Sequence, residues 1–400
     1  MKVVIIGNGL AGTMAAKTIR ELNSEAEILV FAEEKYHYYP RPNLIEFIAG
    51  KLPFERVFAF SEGWHTRQNI EIRFKSPVHK IHPRSQEVEL GEDRRESYDR
   101  LLIANGASSF IPPVKGAEKQ GVFSLRTMDD AQAILDYLEN HRQVVVIGGG
   151  LLGLEIARAI RSRGAEVEVV EFFDRLLPRQ LDAQGASLLR SQIERLGIRV
   201  RLGVATEEIL GAGEMKGIRL KGGHEVSGDM AVIAAGVRPN LALPQDAGLA
   251  TDRGLVVDDR LRTSHPHVFA AGDSIQHRGK VYGIIPASFE QGRTVAYNII
   301  GEDKKYEGTV PANTLKVVGL DVTSVGLVNP EGEGFQEVKK DKEEEGIYKK
   351  IVLQDGVLVG AIWMGTKKGV NEIVRAVSAK TKISQWINNL LDDSFDFSVL

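Results

Sequence analysis

Residues Val3–Gly12 read VVIIGNGLAG, and residues Val144–Gly153 read VVVIGGGLLG. In both copies a β-branched apolar run, typical of a strand buried on both faces of a parallel sheet, leads into a Gly-x-Gly-x-x-Gly turn. A helical pattern and then a second apolar strand follow each turn, and these second strands fall at residues 27–31 and 166–170. Because strand, helix and strand in this order form a βαβ unit, we predict an α/β fold with two doubly wound, Rossmann-like domains.

The composition is that of a large folded protein. The chain has 400 residues, 43% of them hydrophobic, and a formal net charge of −3. This length predicts two or three domains, and the balanced charge gives no reason to expect a nucleic acid or a membrane as a partner. No apolar run approaches the roughly 18 residues needed to cross a bilayer. We therefore expect a soluble, cytoplasmic protein.

The chain contains no cysteine. This excludes disulfides, metal centres with cysteine ligands and a redox-active thiol pair. The nine histidines show no spacing typical of a metal site, so no metal is expected. Any redox chemistry therefore has to proceed without a protein thiol.

Later segments indicate how the chain is divided. The run 268–273 belongs to the first domain only if the chain returns to that domain. We predict a discontinuous first domain at 1–107 and 229–305, a second domain at 108–228, and a small α+β domain at 306–400. In the last domain we predict a meander of strands at Thr314–Val318, Thr323–Val328, Tyr348–Leu353 and Val357–Trp363, a solvated loop at Glu331–Glu345, and helices at Gly369–Ala379 and Ile383–Leu391.

Each glycine of the two turns has a physical task. The first makes the tight turn, the second lets a pyrophosphate approach the backbone, and the third allows close packing of helix on strand. The helix N-terminus adds attraction for negative charge. The candidate dinucleotide-binding glycines are Gly7, Gly9 and Gly12 in the first copy and Gly148, Gly150 and Gly153 in the second. A plain glycine-rich turn is the alternative.

An acidic residue is expected where the second strand ends, to accept hydrogen bonds from ribose hydroxyls. In the first copy Ala32 occupies that place, so Glu33 is the candidate, with Glu34 beside it. In the second copy Glu171 ends the strand. Because a carboxylate repels a 2′-phosphate, Glu171 predicts NADH rather than NADPH, although the nearby Arg175 could weaken that preference.

Two dinucleotide sites on one chain suggest one tightly held redox cofactor and one exchanging nicotinamide nucleotide, since hydride transfer needs two stacked partners. Glu155 begins the helix after the second turn. It is either a first-turn carboxylate favoured by the helix dipole or a group that faces the place where the nicotinamide meets the other cofactor.

Together these features resemble the FAD- and NAD(P)-dependent pyridine nucleotide-disulfide oxidoreductases over essentially the whole chain. The two glycine motifs come in the order FAD then NAD, and Ala104–Gly106, Ala235–Asn240 and Thr263–Asp273 follow in the order typical of the family. Residues Tyr38–Leu44 and Phe47–Gly50 resemble, within this superfamily, NADH:rubredoxin oxidoreductases, the FAD part of NADH-dependent nitrite reductases, and ferredoxin reductases.

The resemblance implies a role for each candidate residue. On the FAD side the implied set is Gly7, Gly9, Gly12, Glu33, Arg41, Val78, Ala104, Gly106, Arg126, Asp273 and Ile285. On the NADH side it is Gly148, Gly150, Gly153, Glu155, Glu171 and Gly236. Arg41 is implied to lie along the pyrophosphate and the ribityl chain, Val78 to present its backbone to the adenine, and Asp273 to bind the ribityl hydroxyls. Arg126 is implied to lie near the pyrophosphate, and the helix starting near Ile285 to run under the flavin.

The departure from the family lies at the redox position. Disulfide reductases carry a cysteine pair after the ribose acid, but the stretch Arg41–Glu46 has none. Glu46 falls where related ferredoxin reductases place a lysine beside the flavin. It is either a helix-surface carboxylate or, with Glu155, a candidate catalytic residue that tunes the flavin potential. Two carboxylates near one ring would disfavour the anionic reduced flavin unless one of them is protonated.

The resemblance thus implies an FAD-dependent NADH oxidoreductase that passes electrons to a small protein carrier, rubredoxin or ferredoxin, and that is a monomer or a homodimer. Alternatives of the same class are a peroxide-forming NADH oxidase and the flavin subunit of a larger reductase. An alternative of another class is a binding module that senses redox state through NADH and FAD occupancy.

Overall fold

The computed structural model describes residues 1–91, 94–310, 312–317 and 319–400 of the chain. The chain divides into two compact units. Unit 1 comprises Met1–Leu44, Leu52–Ser108 and Val237–Thr309, and unit 2 comprises Ile45–Lys51, Ser109–Gly236 and Val310–Leu400. Strands and helices are numbered in chain order through the whole molecule.

Unit 1 is built on a parallel sheet of five strands. These are β1 (Lys2–Ile6), β2 (Glu27–Phe31), β3 (Glu71–Arg73), β7 (Arg100–Ile103) and β19 (Val268–Ala270). Their spatial order is β19-β7-β1-β2-β3. Ile5 in the central strand pairs with Val30 on one side and with Leu102 on the other, and all three are buried. Because Val268 pairs with Leu101 in the parallel sense, the chain does return to this sheet.

Helices and short strands complete unit 1. They are α1 (Leu10–Leu22), α3 (Trp64–Arg67), α7 (Ala242–Asp246), α8 (Ile285–Ile299), β4 (Val78–His82), β5 (Glu87–Leu90), β6 (Arg94–Ser97), β17 (Val237–Pro239), β18 (Leu255–Val257) and β20 (Ile275–His277). Helix α2 (Pro42–Ile48) and strand β8 (Ala107–Ser109) each span a boundary between the units. Helices α1 and α8 pack closely because Gly292 has no side chain: a Cβ there would lie 2.6 Å from the carbonyl oxygen of Ala11.

Unit 2 contains the second parallel sheet, in the spatial order β12-β11-β10-β16-β9. Its strands are β9 (Val122–Phe123), β10 (Gln143–Ile147), β11 (Glu166–Val170), β12 (Ile198–Arg201) and β16 (Met230–Ile233). The accompanying elements are α4 (Met128–Leu138), α5 (Leu151–Ser162), α6 (Ala183–Arg195) and the antiparallel strands β13 (Thr206–Leu210), β14 (Gly217–Leu220) and β15 (Glu225–Ser227).

An antiparallel C-terminal sheet belongs to the same unit, in the order β21-β22-β25-β24-β23. Its strands are β21 (Ala312–Val317), β22 (Leu320–Gly326), β23 (Phe335–Lys342), β24 (Ile347–Gln354) and β25 (Val357–Met364), and helix α9 (Val370–Ser378) follows them. The predicted fold class, parallel Rossmann-like sheets with a C-terminal α+β part, is confirmed. Among the described residues no helix is long and apolar enough to cross a bilayer.

Some details differ from the sequence predictions. The predicted return to the first domain at residue 229 would place the strand Met230–Ile233 in that domain. In the structure this strand pairs with β10 and belongs to unit 2. Both parallel sheets need the same fully buried apolar strand, so the sequence pattern alone does not distinguish them. The predicted loop Glu331–Glu345 contains the strand β23, and the predicted helix Ile383–Leu391 is reduced to the short 3-10 helix Ser384–Trp386. Val318, the predicted end of the first meander strand, lies outside the described residues.

A buried histidine gives unit 1 a testable dependence on pH. Burial, and then the nearby His37, lower the pKa of His65 from 6.5 to about 4. Between these values the unfolded chain binds a proton that the folded protein does not, so stability is lost as the pH falls. We expect the free energy of unfolding to decrease by about 3 kcal/mol over this range for this reason.

The substitution His65→Phe should remove that part of the pH dependence, because phenylalanine keeps the ring but cannot be protonated. Denaturant unfolding measured between about pH 7 and pH 4 compares the variants. His79→Phe, at an exposed position, is the control and should leave the dependence unchanged. A His65→Phe protein with the wild-type pH dependence would show that His65 is not the group responsible.

Candidate functional site

The first glycine turn joins β1 to α1 in unit 1. Gly7 has a φ of +105°, and a Cβ on it would lie 2.3 Å from the carbonyl oxygen of Ala104. A Cβ on Gly12 would lie 2.0 Å from the carbonyl oxygen of Gly7. The protein itself therefore requires glycine at these two positions, since backbone atoms leave no room for a side chain.

Gly9, between them, is under no such constraint. Its φ of −69° is available to any residue, and apart from its chain neighbours none of the described residues comes within 4 Å of the position that its Cβ would take. Gly9 also precedes α1 without a side chain that caps the first N–H groups of the helix. An open space beside uncapped helix N–H groups fits a pyrophosphate that approaches the backbone.

The turn Ala104–Gly106 lies next to this opening. The Asn105 side-chain amide donates to the carbonyl oxygen of Asn240 at 3.0 Å, and the Asn240 amide donates to the carbonyl oxygen of Asn105 at 2.8 Å. Within the described structure the buried Oδ1 of Asn105 accepts no hydrogen bond. Because buried acceptors are almost always satisfied, this atom also fits a polar group bound here.

Asp273 follows β19 and faces α8 in the same unit. Its Oδ1 accepts a hydrogen bond from Ser288 Oγ at 3.3 Å, and the N–H of Gly272 donates to Gln291 Oε1 at 2.8 Å. Ile285, the first residue of α8, is exposed. Asp273 thus lies beyond the carboxyl end of β19, at the edge of the parallel sheet where the first glycine turn follows β1. Its binding of the ribityl hydroxyls stays a prediction.

The two acids after β2 differ in burial and in their contacts. Glu33 is exposed, whereas Glu34 is half-buried and accepts hydrogen bonds from the Tyr39 hydroxyl and, at 3.0 Å, from Arg41 Nη2. Arg41 also donates to the Tyr39 hydroxyl oxygen at 2.6 Å. Arg41 therefore forms an ion pair with Glu34 that was not predicted from the sequence. The roles of Glu33, Arg41 and the half-buried Val78 toward FAD stay predictions.

The second glycine turn joins β10 to α5 in unit 2 and repeats the geometry of the first. Gly148 has a φ of +120°, and its Cβ would lie 2.5 Å from the carbonyl oxygen of Ala234. A Cβ on Gly153 would lie 1.9 Å from the carbonyl oxygen of Gly148. Gly150 has a φ of −78°, and the described residues place nothing within 4 Å of its Cβ position. This turn, too, leaves open a space beside a helix N-terminus.

Glu171 follows β11 and is buried beside the second turn. Its Oε2 accepts a hydrogen bond from the N–H of Gly149, and its Oε1 accepts one from the N–H of Phe173 at 2.8 Å. The carboxylate is thus held where the ribose of a dinucleotide is expected. Arg175, the residue that could weaken the preference for NADH, donates to Asp174 at 3.1 Å.

Arg158 on α5 joins the two candidate catalytic carboxylates. Its Nη2 lies 2.8 Å from Glu46 Oε1 and 2.9 Å from Glu155 Oε2. Burial alone would lower the pKa of Arg158, but the hydrogen bonds and charges of both glutamates raise it above the usual value. Lys51 lies 3.8 Å from the second oxygen of Glu46. Two cations therefore accompany the two carboxylates, and the roles of Glu46 and Glu155 beside the flavin stay predictions.

Arg158 was not predicted from the sequence, although its spacing from Glu155 indicates a contact. Arg158 follows Glu155 by three residues on one helix, a spacing that places the two side chains on the same face. Two further implied residues also lie in unit 2. Gly236 has a φ of +101°, and Arg126 precedes α4, where its N–H donates to Asp130 Oδ2 at 2.8 Å. Their implied roles toward NADH and FAD stay predictions.

Two parallel sheets, each with an open glycine turn, define a protein built to hold two dinucleotides. The family profile of pyridine nucleotide-disulphide oxidoreductases matches residues 1–292, and that of the rubredoxin NAD+ reductase C-terminal domain matches residues 311–381. The chain belongs to the pyridine nucleotide-disulphide oxidoreductase family, whose members bind FAD and NAD(H). The resemblance seen in the sequence is confirmed.

The chain is also similar to individual proteins of known sequence or structure. The chain is 35% identical to a nitrite reductase (NAD(P)H) of Bacillus subtilis, over 96% of this chain and 48% of that protein. It is 31% identical to the NADH-rubredoxin oxidoreductase of Clostridium acetobutylicum, over 92% of this chain and 93% of that protein. The structure is similar to that of the ferredoxin reductase for the CYP199A2 system of Rhodopseudomonas palustris, with a TM-score of 0.90, 27% identity and coverage of 100% and 99%. The chain spans about half the length of the nitrite reductase.

Proposed function

We propose that the protein is an NADH-dependent flavoprotein reductase that holds FAD on unit 1 and binds NADH on unit 2. The observation that carries this proposal is the pair of open positions at Gly9 and Gly150, each in a turn whose other two motif glycines are imposed by the backbone. Apart from its chain neighbours, a Cβ at either position would meet no atom of the described residues, so the space beside each helix N-terminus is open to a bound pyrophosphate. Unit 1 would hold the FAD, which would supply a hydride acceptor for NADH and a one-electron donor for the next acceptor.

Different groups of unit 2 bind different parts of NADH. The N–H groups at the start of α5 face the pyrophosphate, and Glu171 accepts hydrogen bonds from the ribose hydroxyls. Arg158 holds the side chain of Glu155 in one orientation through a bond of 2.9 Å. With Glu46 and Lys51 the cluster has two charges of each sign, so it carries no net charge.

We propose a small electron-carrier protein, rubredoxin or ferredoxin, as the acceptor. The chain contains no cysteine, so electrons cannot leave through a protein thiol. The match to a rubredoxin NAD+ reductase C-terminal domain and the similarity to an NADH-rubredoxin oxidoreductase support this acceptor. A peroxide-forming NADH oxidase and the flavin subunit of a larger reductase are the alternatives. The cytoplasmic location and the monomeric or dimeric state stay predictions.

An anaerobic titration of the purified, FAD-loaded protein with NADH tests the proposal. We expect the visible flavin absorbance to bleach at about one NADH per flavin, and NADPH to be far less effective. Reoxidation by rubredoxin, ferredoxin and oxygen then identifies the acceptor. Reoxidation fastest with oxygen would support the oxidase, and reduction without any fast acceptor would support the redox-sensing module. A protein that binds no FAD, or whose flavin NADH does not bleach, would overturn the reductase.

Glu171→Gln should weaken the preference for NADH over NADPH by roughly tenfold, because it removes the negative charge that repels a 2′-phosphate and keeps a side chain of the same size. The measurement is the ratio of kcat/KM for the two nucleotides. Glu166→Gln, at the exposed start of the same strand, is the matched control and should leave the ratio unchanged. An unaltered ratio in Glu171→Gln would show that another residue discriminates between the nucleotides.

A further inference from the structure

The segment 172–181, which we call the β11–α6 loop, follows Glu171 directly. It exposes Phe172 and Phe173 and fully buries three leucines, Leu176, Leu177 and Leu181. Leu177 has a φ of +48°, a conformation that side chains other than glycine rarely adopt. The shape of the loop therefore depends on contacts that hold it rather than on its own backbone preference.

One side of the loop contacts the second glycine turn. The N–H of Leu177 donates to the carbonyl oxygen of Gly149 at 3.2 Å. A Cβ on Gly149 would lie 2.7 Å from Leu176 Cδ2 and 3.1 Å from Glu171 Oε2. The loop, the turn and the ribose acid thus form one packed group, and a displacement of the loop displaces the other two.

The end of the loop is fixed by the connection that follows β22. The Asn329 side-chain amide donates to the carbonyl oxygen of Leu181 at 3.1 Å and to that of Pro178 at 3.4 Å. One side chain of the C-terminal part of the chain therefore bonds two backbone carbonyls of the loop; that of Pro178 also accepts from Arg175 Nη2 at 3.4 Å.

The residue after the loop is fixed by the C-terminal sheet. The hydroxyl of the fully buried Tyr348 donates to Asp182 Oδ2 at 2.6 Å, while Asp182 Oδ1 accepts from the N–H of Gly185 and so caps α6. Lys339 and Lys350 lie 3.3 and 3.4 Å from the same carboxylate. Burial alone would raise the pKa of Asp182, but these donors and cations lower it below the ordinary value, so the carboxylate is ionised at neutral pH.

We propose that Asn329 and Tyr348 are positioning residues for the nicotinamide dinucleotide. They touch neither reacting group; they hold the β11–α6 loop in the shape that keeps Gly149 and Glu171 in place for the ribose and the pyrophosphate. The C-terminal part of the chain thereby contributes to the affinity for NADH, in addition to any part it has in stability. This proposal rests on the assignment of the NADH site to the second glycine turn.

The test compares Asn329→Ala and Tyr348→Phe with the wild-type holoenzyme. For Asn329→Ala we expect the KM for NADH to rise by about fivefold or more, with kcat within about twofold, because loop order contributes to binding and not to the hydride step. The FAD content and flavin spectrum should not change. Hydrogen exchange should show faster exchange of the Leu177 amide. Asn371→Ala, at an exposed position of α9, is the control and should match the wild type.

The outcomes separate this proposal from the proposed function. A wild-type flavin that NADH does not bleach would remove the function itself. A wild type that NADH reduces, together with an Asn329→Ala protein that has a lowered unfolding temperature but an unchanged KM, would show that the contact is structural only and would overturn the proposal. If Tyr348→Phe does not fold, Asn329→Ala carries the test, because its side chain is only partly buried.

Discussion

A Gly150→Val protein is expected to be folded and yellow, and to be reduced by NADH at least about 100-fold more slowly than the wild type at equal NADH concentration. The backbone of Gly150 is extended, with φ −78° and ψ −179°, a conformation that valine adopts readily. Since the described residues leave the Cβ position open, the substitution costs the fold little. The new side chain occupies the space that the pyrophosphate of NADH needs. Anaerobic stopped-flow absorbance of the flavin measures the effect.

Gly213→Val is the matched control for this prediction. Gly213 lies in the same unit, its φ is not positive, and its Cβ position is equally open to the described residues, but it belongs to the connection between β13 and β14. This variant should be reduced at the wild-type rate. Wild-type reduction of Gly150→Val would mean that NADH binds elsewhere, and the functional assignment of unit 2 would be lost.

Gly9→Val is expected to give a colourless protein that folds but retains less than about a tenth of the wild-type FAD. The same reasoning applies: φ is −69°, and the described chain leaves the side-chain position open. Absorbance and circular dichroism of the purified protein measure FAD content and folding. Because a ligand that binds only the folded state stabilises it, the unfolding temperature should fall to that of the wild-type apoprotein and no further.

The two valine variants are controls for each other. Gly150→Val should keep its FAD, and Gly9→Val should still bind NADH, as followed by the fluorescence of the reduced nicotinamide. A Gly9→Val protein that retains its FAD would contradict the assignment of FAD to unit 1. Loss of FAD from Gly150→Val instead would assign FAD to unit 2 and NADH to unit 1.

The glycine turns could be predicted from the sequence because their constraints are local. A positive φ at Gly7 and the close contact of Gly12 with the Gly7 carbonyl follow from a strand that turns directly into a helix. The parallel strands could also be predicted from the sequence. An unbroken apolar run such as Val144–Ile147 is typical of a strand buried on both faces, and this run is buried. The second copy strengthened both inferences.

Pairings between distant parts of the chain could not be predicted in the same way. The bond between Arg158 and Glu46 joins residues 112 positions apart, and nothing in the local pattern relates them. Strand β23 was missed for another reason. It lies at the edge of its sheet and is largely charged, so it lacks the alternating apolar pattern, and its pairing with β24 supplies the order instead.

The parallel sheet of unit 1 obtains its last strand late in synthesis. Strand β19 at residues 268–270 pairs with β7 at residues 100–103, whereas all strands of the other parallel sheet lie between residues 122 and 233. A nascent chain emerging from the ribosome therefore completes the parallel sheet of unit 2 before that of unit 1. Until β19 emerges, β7 is an open edge to which a neighbouring chain can add. Binding of FAD at the site proposed for unit 1 therefore has to wait until residues 268–270 have left the ribosome, while the C-terminal sheet of unit 2 is still to be made.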